Sequence, residues 1–105
     1  MKGRDFIRVE PAGRVWLTIH NQIRSVLNSD WDPIGVTDIV DDEYDMYIGH
    51  IYSLLMKDAS EQDISEYLLW IELERMGLTG TPIDERLRVA KNLRNLHLPP
   101  LEHPE

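Results

Sequence analysis

Ser60-Glu61-Gln62-Asp63-Ile64-Ser65-Glu66-Tyr67-Leu68-Leu69-Trp70-Ile71-Glu72-Leu73-Glu74-Arg75-Met76-Gly77 is the stretch that decides the fold. Ser60 is a good N-cap, and Glu61 and Asp63 suit the positive end of a helix dipole, although a capping box prefers Glu where Asp63 stands. Gly77 closes such a helix in the left-handed conformation. The spacing predicts a helix over 60–76. Tyr67 to Ile71 is apolar without a break, and Leu73 and Met76 follow, so the apolar surface reaches most of the way round. A helix of that kind is central to its domain or partly covered by another chain. A central position is the expectation, with a homodimer through this helix as the alternative.

Three further helices surround it. Val15, Trp16, Ile19, Ile23, Val26 and Leu27 fall at steps of three and four and predict a helix over 14–28, stopped by Asn28-Ser29-Asp30. A second is expected over 42–57, with Asp41 or Asp42 as N-cap and Tyr44, Tyr47 or Ile48, Ile51, and Leu54 or Leu55 as its buried stripe. The last is expected over 82–96, with Thr81 as N-cap, Pro82 in its first turn, and Leu87, Ala90, Leu93 and Leu96 facing inward. Pro99-Pro100 prevents its continuation. In residues 1–13, Pro11 and Gly13 are expected to end regular structure, leaving an irregular arm before a single domain over 14–98 and a tail over 99–105. The fold class that follows is all-α, a compact four-helix domain.

Trp31-Asp32-Pro33-Ile34-Gly35 joins the first two helices. Pro33 pushes Asp32 out of helical geometry and Gly35 permits a sharp bend, so Trp31 reads as a core plug in preference to a stacking platform. Trp31, Pro33, Gly35, Trp70 and Gly77 are the residues expected to serve structure. Tyr44, Tyr47 and Tyr52 read as core edges with their hydroxyls in water.

The chain has 105 residues, a net charge of −8 and no cysteine. That length suits one domain of roughly 100–150 residues. Disulfides, thiolate zinc sites and a thiol nucleophile are excluded. The charge is uneven. Residues 28–74 hold thirteen acids against one base, Lys57, while 1–27 and 75–97 are each mildly basic. Such a block disfavours nucleic acid and anionic membrane, and presents carboxylates to solvent or to a cationic protein. Asp38, Asp41, Asp42, Glu43, Asp45, Glu61, Asp63 and Glu66 are the candidate interaction surface. The longest apolar run, Tyr67 to Ile71, is far short of the ~20 residues that span a bilayer, and residues 1–13 lack a signal-peptide core, so a cytoplasmic setting is expected.

Catalytic and metal patterns are missing. The acids of 38–45 lack the glycine and alternation of a calcium loop, and Glu43 and His50 do not make a Glu-x-x-His pair. His20, His50, His97 and His103 show no zinc spacing, and the glycines form no phosphate loop. Glu72 and Glu74, two apart, point to different faces of a helix. No catalytic, cofactor-binding or metal-ligating residue is assigned, and no cofactor is expected. A metal-dependent hydrolase or ligand-binding protein using Asp41, Asp42, Asp45 and His50 is the alternative from a different class.

Trp31-Asp32-Pro33-Ile34, Asp42-Glu43-Tyr44-Asp45 with Tyr52, Tyr67-Leu68, Ile71-Glu72 and Met76-Gly77-Leu78 together resemble a family of small bacterial helical domains of unknown function, over residues 15–96. The resemblance implies an all-helical fold and a bacterial setting, and carries over no site residues. The expectation is a non-enzymatic protein–protein interaction module, with a protein partner or self-association. Small acidic helical proteins that neutralise basic toxins are an analogy of size and charge.

Overall fold

The computed structural model describes residues 3–35 and 42–99, with side chains from residue 14 onward. Four helices and no strand are found among them, an all-α four-helix domain. The helices are α1 (Gly3–Val26), α2 (Ile48–Met56), α3 (Glu61–Trp70) and α4 (Ile83–Arg94). Wider π-helical turns extend two of them: Leu27–Trp31 after α1 and Ile71–Arg75 after α3. A short 3-10 turn, Asp45–Tyr47, leads into α2.

The core is built where the 3.6-residue period places it. Ile19, Ile23 and Leu27 meet Ile48 and Ile51 of α2, Ile64, Leu68 and Ile71 of the α3 segment, and Val89, Ala90 and Leu93 of α4, all essentially without solvent contact. Burying an aliphatic side chain of this size contributes roughly 1.5–3 kcal/mol. The most extensive helix pair is α3 with α4. No described helix is long and apolar enough to cross a membrane.

Several boundaries differ from expectation. The backbone is helical from Gly3, so over 3–13 the first turns of α1 stand where an irregular arm was expected. Proline removes only one amide donor, and the residues on both sides of Pro11 carry the rest of the ladder. Asn28-Ser29-Asp30 does not stop the first helix. Those residues widen into the π turn, whose end comes at Asp32 with φ 34° and ψ 58°. The Asp32 amide donates to the Leu27 carbonyl at 2.8 Å, which closes the wide turn before Pro33 ends it. Asp42 is not an N-cap. Its carbonyl accepts from the Asp45 amide at 3.2 Å, forming a turn that drives Tyr44 inward, and α2 starts without a side-chain cap. Asp38 and Asp41 lie outside the described residues.

The stretch 60–77 folds as its composition dictates. Ser60 Oγ accepts the Asp63 amide at 3.0 Å. At the other end the Met76 amide reaches back to Ile71 at 3.0 Å and the Leu78 amide to the Glu72 carbonyl at 2.8 Å. Gly77 sits between them with φ +69° and open space where a Cβ would stand. A Gly77→Ala change therefore meets only the backbone penalty of a left-handed L-residue. We expect it to lower stability by about 1 kcal/mol, and Gly77→Asn by less, in urea unfolding.

Helix α4 turns from the expected register. Arg86, Val89, Ala90 and Leu93 are buried, while Leu87 and Leu96 are half-buried. Thr81 does not cap it; Pro82 occupies the cap position with no side-chain bond, and Thr81 points into the molecule instead.

Candidate functional site

Thr81 turns inward because Glu72 is there. Ile64, Ser65, Leu68, Ile71 and Glu72 share one face of the α3 segment, so Glu72 enters the core and is fully buried. Its Oε2 accepts the Trp31 indole N–H at 2.6 Å, and its Oε1 accepts the Thr81 amide at 2.7 Å. The Thr81 hydroxyl lies 3.2 and 3.0 Å from the two oxygens. Arg86, also buried, donates from Nη1 to the Thr81 carbonyl and from Nε to Ser65 Oγ at 3.3 Å. The indole bond joins the two π turns, so each wide turn supplies one end of it. Such turns are rare and are often found at functional sites. An open cavity of about 300 Å³ lies beside this knot, lined by Pro33, Glu72 and residues 77–81.

A second clasp holds the connection after α1. Trp31 packs on Tyr44 at 5.2 Å between ring centroids. The Tyr44 hydroxyl donates to Asp32 Oδ1 at 2.7 Å and accepts the Ile34 amide at 3.3 Å. Tyr52 donates to the Pro99 carbonyl at 3.0 Å. Both phenols were expected to end in water, and both are satisfied inside the protein. The rings are core, as the periodicity requires, and the hydroxyls find partners because burial without one is costly.

Burial, reinforced by the bond to Asp32, raises the Tyr44 pKa above the ordinary 10.0. Burial, with repulsion from Tyr47, raises that of Tyr67, against a smaller opposing pull from Arg75. Below the ordinary value both states are protonated and no stability is lost. As pH rises past it, the unfolded chain releases protons that the folded chain keeps, so stability falls. Each such proton costs up to ~1.4 kcal/mol per pH unit. Urea midpoints measured from about pH 8 to about pH 11 are expected to hold at first and then to drop as the pH passes about 10. Tyr44→Phe is expected to flatten that fall; an unchanged slope in the variant counts against the buried phenol.

The acids divide sharply. Asp45 is gripped by Arg24 at 3.0 and 2.5 Å, with His20 Nε2 at 4.0 Å. Asp58 pairs with Arg94, Asp30 accepts from Asn92, Asp32 from Tyr44, and Glu72 from Trp31 and Thr81. Glu61, Asp63 and Glu66 on α3, Glu74 beyond it, and Asp42 and Glu43 before α2 make no side-chain hydrogen bond or ion pair among the described residues. Of these only Glu61 is half-buried; the rest are exposed. So the structure keeps Asp42, Glu43, Asp63 and Glu66 of the expected surface in solvent, half-buries Glu61 and withdraws Asp45 into an ion pair.

The α3 segment is two-sided. Trp70, expected to serve structure, is 47% exposed, and Leu73 is 41% exposed. Trp70 lies nearly parallel to Tyr67 (15° between planes, centroids 6.0 Å apart), and the same Tyr67 ring is packed by His50 of α2 at 4.4 Å. Asp63, Glu66, Tyr67, Trp70, Leu73 and Glu74 recur at steps of three and four, opposite the buried face. The result is an aromatic and aliphatic strip framed by carboxylates.

For the alternative metal site, Asp45 already has both oxygens bonded to Arg24, and His50 packs against Tyr67. No group of three His, Asp or Glu side chains able to hold a metal ion is found among the described residues. No protein family, no curated protein and no solved structure matches the chain.

Sequence reasoning missed three participants: Glu72 as a core group, Thr81 as its partner, and Trp70 as a surface ring. The signal for the first was present. Counting from Ile64 and Leu68, both Ile71 and Glu72 fall on the inward stripe, while Trp70 and Leu73 fall off it.

Proposed function

We propose that the protein is a non-enzymatic protein–protein interaction module, working in a bacterial cytoplasm, whose outward α3 face receives a basic partner. One observation carries the reading: Trp70 and Leu73 stand half-exposed among carboxylates that no described side chain pairs. Leaving large apolar side chains in water gains nothing for an isolated domain, and aromatic side chains are enriched where proteins meet. The free carboxylates would steer a cationic partner and repel acidic ones. Neutralising a basic toxin is one form this takes, supported by the same face and by size and charge.

The chain used as bait at low and moderate salt tests the reading. A stoichiometric basic protein, retained by the native chain and lost with Trp70→Ala, is the expected result. No stoichiometric partner at either salt contradicts it. Elemental analysis of the same preparation addresses the hydrolase alternative, which requires stoichiometric bound metal.

A further inference from the structure

The strip on α3 has a composition that selects among cations. Trp70 is backed by Tyr67 through near-parallel rings, yet nearly half its surface stays open to solvent. Glu66 precedes it by four residues and Glu74 follows it by four, so a carboxylate stands about one turn away on either side. Leu73 adds an exposed apolar side chain on the same strip. We propose that this strip is a docking site for an arginine-bearing amphipathic helix of a partner protein, an inference that rests on the interaction-module reading above.

The chemistry favours arginine for two reasons. A guanidinium lies flat on an indole face, where the ring quadrupole attracts it, and its planar fork pairs with a carboxylate at the same time. A lysine ammonium, more strongly hydrated, matches only the charge. Leu73 then takes an apolar residue one turn along the partner helix, the usual arrangement for a helix laid on a helical surface. A second copy of this chain fits poorly through the strip. Two such faces brought together set Asp63, Glu66 and Glu74 of one copy against the same acids of the other, with only Arg75 to offset them, and like charges across an interface are costly. Nucleic acid is disfavoured by the same carboxylates.

The test uses the full chain and a synthetic helical peptide with leucines on one face and arginines on the others. Its lysine and glutamate counterparts serve as comparisons. Titration calorimetry is expected to show saturable binding of the arginine peptide, about threefold tighter than the lysine peptide. No binding of the glutamate peptide is expected. Trp70→Ala should weaken the arginine peptide about tenfold, and Glu66→Lys should weaken it by a similar amount through an independent side chain. Both positions are exposed, and unfolding midpoints verify that each variant folds. Equal affinity for native and Trp70→Ala, with loss only in Asp42→Asn or Glu43→Gln, overturns the docking site while the interaction-module reading survives. Failure of every cationic peptide also overturns the site. A dimer that disperses with Trp70→Ala overturns the site in favour of self-association. The broader reading fails separately, when the bait retains no stoichiometric partner.

Discussion

Glu72→Ala is expected to lower stability by about 3–5 kcal/mol, more than any other carboxylate substitution in the chain. The side chain is fully buried and accepts from three donor groups: the Trp31 indole, the Thr81 amide and the Thr81 hydroxyl. Removing it strands the buried indole N–H outright, at roughly 1–3 kcal/mol, and leaves a space the π turn cannot close easily. The Thr81 groups recover part of their loss from water in the neighbouring cavity, which keeps the total below a sum over all three. Glu72→Gln retains the volume but turns an amide donor toward other donors, so an intermediate loss of about 2 kcal/mol is expected. Trp31→Phe combined with Glu72→Gln should cost less than the two changes added, because one bond is then counted twice. Urea unfolding of the four proteins checks this. Glu74→Ala, an exposed carboxylate two positions away, should change stability by less than about 0.5 kcal/mol. Equal effects at 72 and 74 would refute the knot.

The second large effect is Leu68→Ala. Leu68 lies fully inside, on the inward face of α3 that packs chiefly on α4. Deleting it removes one methine and two methyl carbons from the core and leaves a cavity, at an expected 2–5 kcal/mol. Against a total stability of about 5–15 kcal/mol, that is enough to unfold a measurable fraction of the molecules on mild heating. Trp70→Ala removes a larger side chain two residues away and should cost less, about 1–2 kcal/mol, since nearly half of its surface is already in solvent. The contrast follows from position, not size. A Trp70→Ala loss as large as that of Leu68→Ala would mean the indole is a core residue and the outward strip does not exist as described.

The fold was legible where periodicity and caps agree. Ser60 caps the amide of Asp63, Gly77 takes the left-handed conformation, and the stripes of the first and third helices enter the core. It was less legible where a local signal competes with a tertiary one. Thr81-Pro82 reads as a helix start, but a buried carboxylate nearby offered the threonine a stronger partner than the helix end did. Asn28-Ser29-Asp30 reads as a stop, yet the chain absorbs it by widening the turn and carries Trp31 to Glu72. Helix α4 shifts its buried face because Arg86 can bury its stem and still reach Thr81 and Ser65.

The candidate surface shows the same division. Charge partition located the acidic block, and Asp42, Glu43, Asp63 and Glu66 are indeed in solvent. What composition does not reveal is which carboxylates the fold uses for itself: Asp45 closes on an arginine twenty-one residues earlier, and Asp58 on one thirty-six later. The run Tyr67 to Ile71 likewise hides a boundary. Leu68 and Ile71 go in, Trp70 stays out, and a count of apolar residues does not separate them without the helical angle.

The α3 segment has an inward and an outward face, and the three tryptophans report on both directly. Each indole N–H gives its own signal in a proton–nitrogen correlation spectrum, and only that of Trp31 is bonded to Glu72. On titration with the arginine–leucine peptide, the Trp70 indole signal is expected to shift progressively to saturation, together with the backbone amides of Glu66 and Leu73, while the Trp31 signal stays in place. A stationary Trp70 signal, with the shifts falling on Trp31 or on the turn at Asp42 and Glu43, would contradict docking on the outward face.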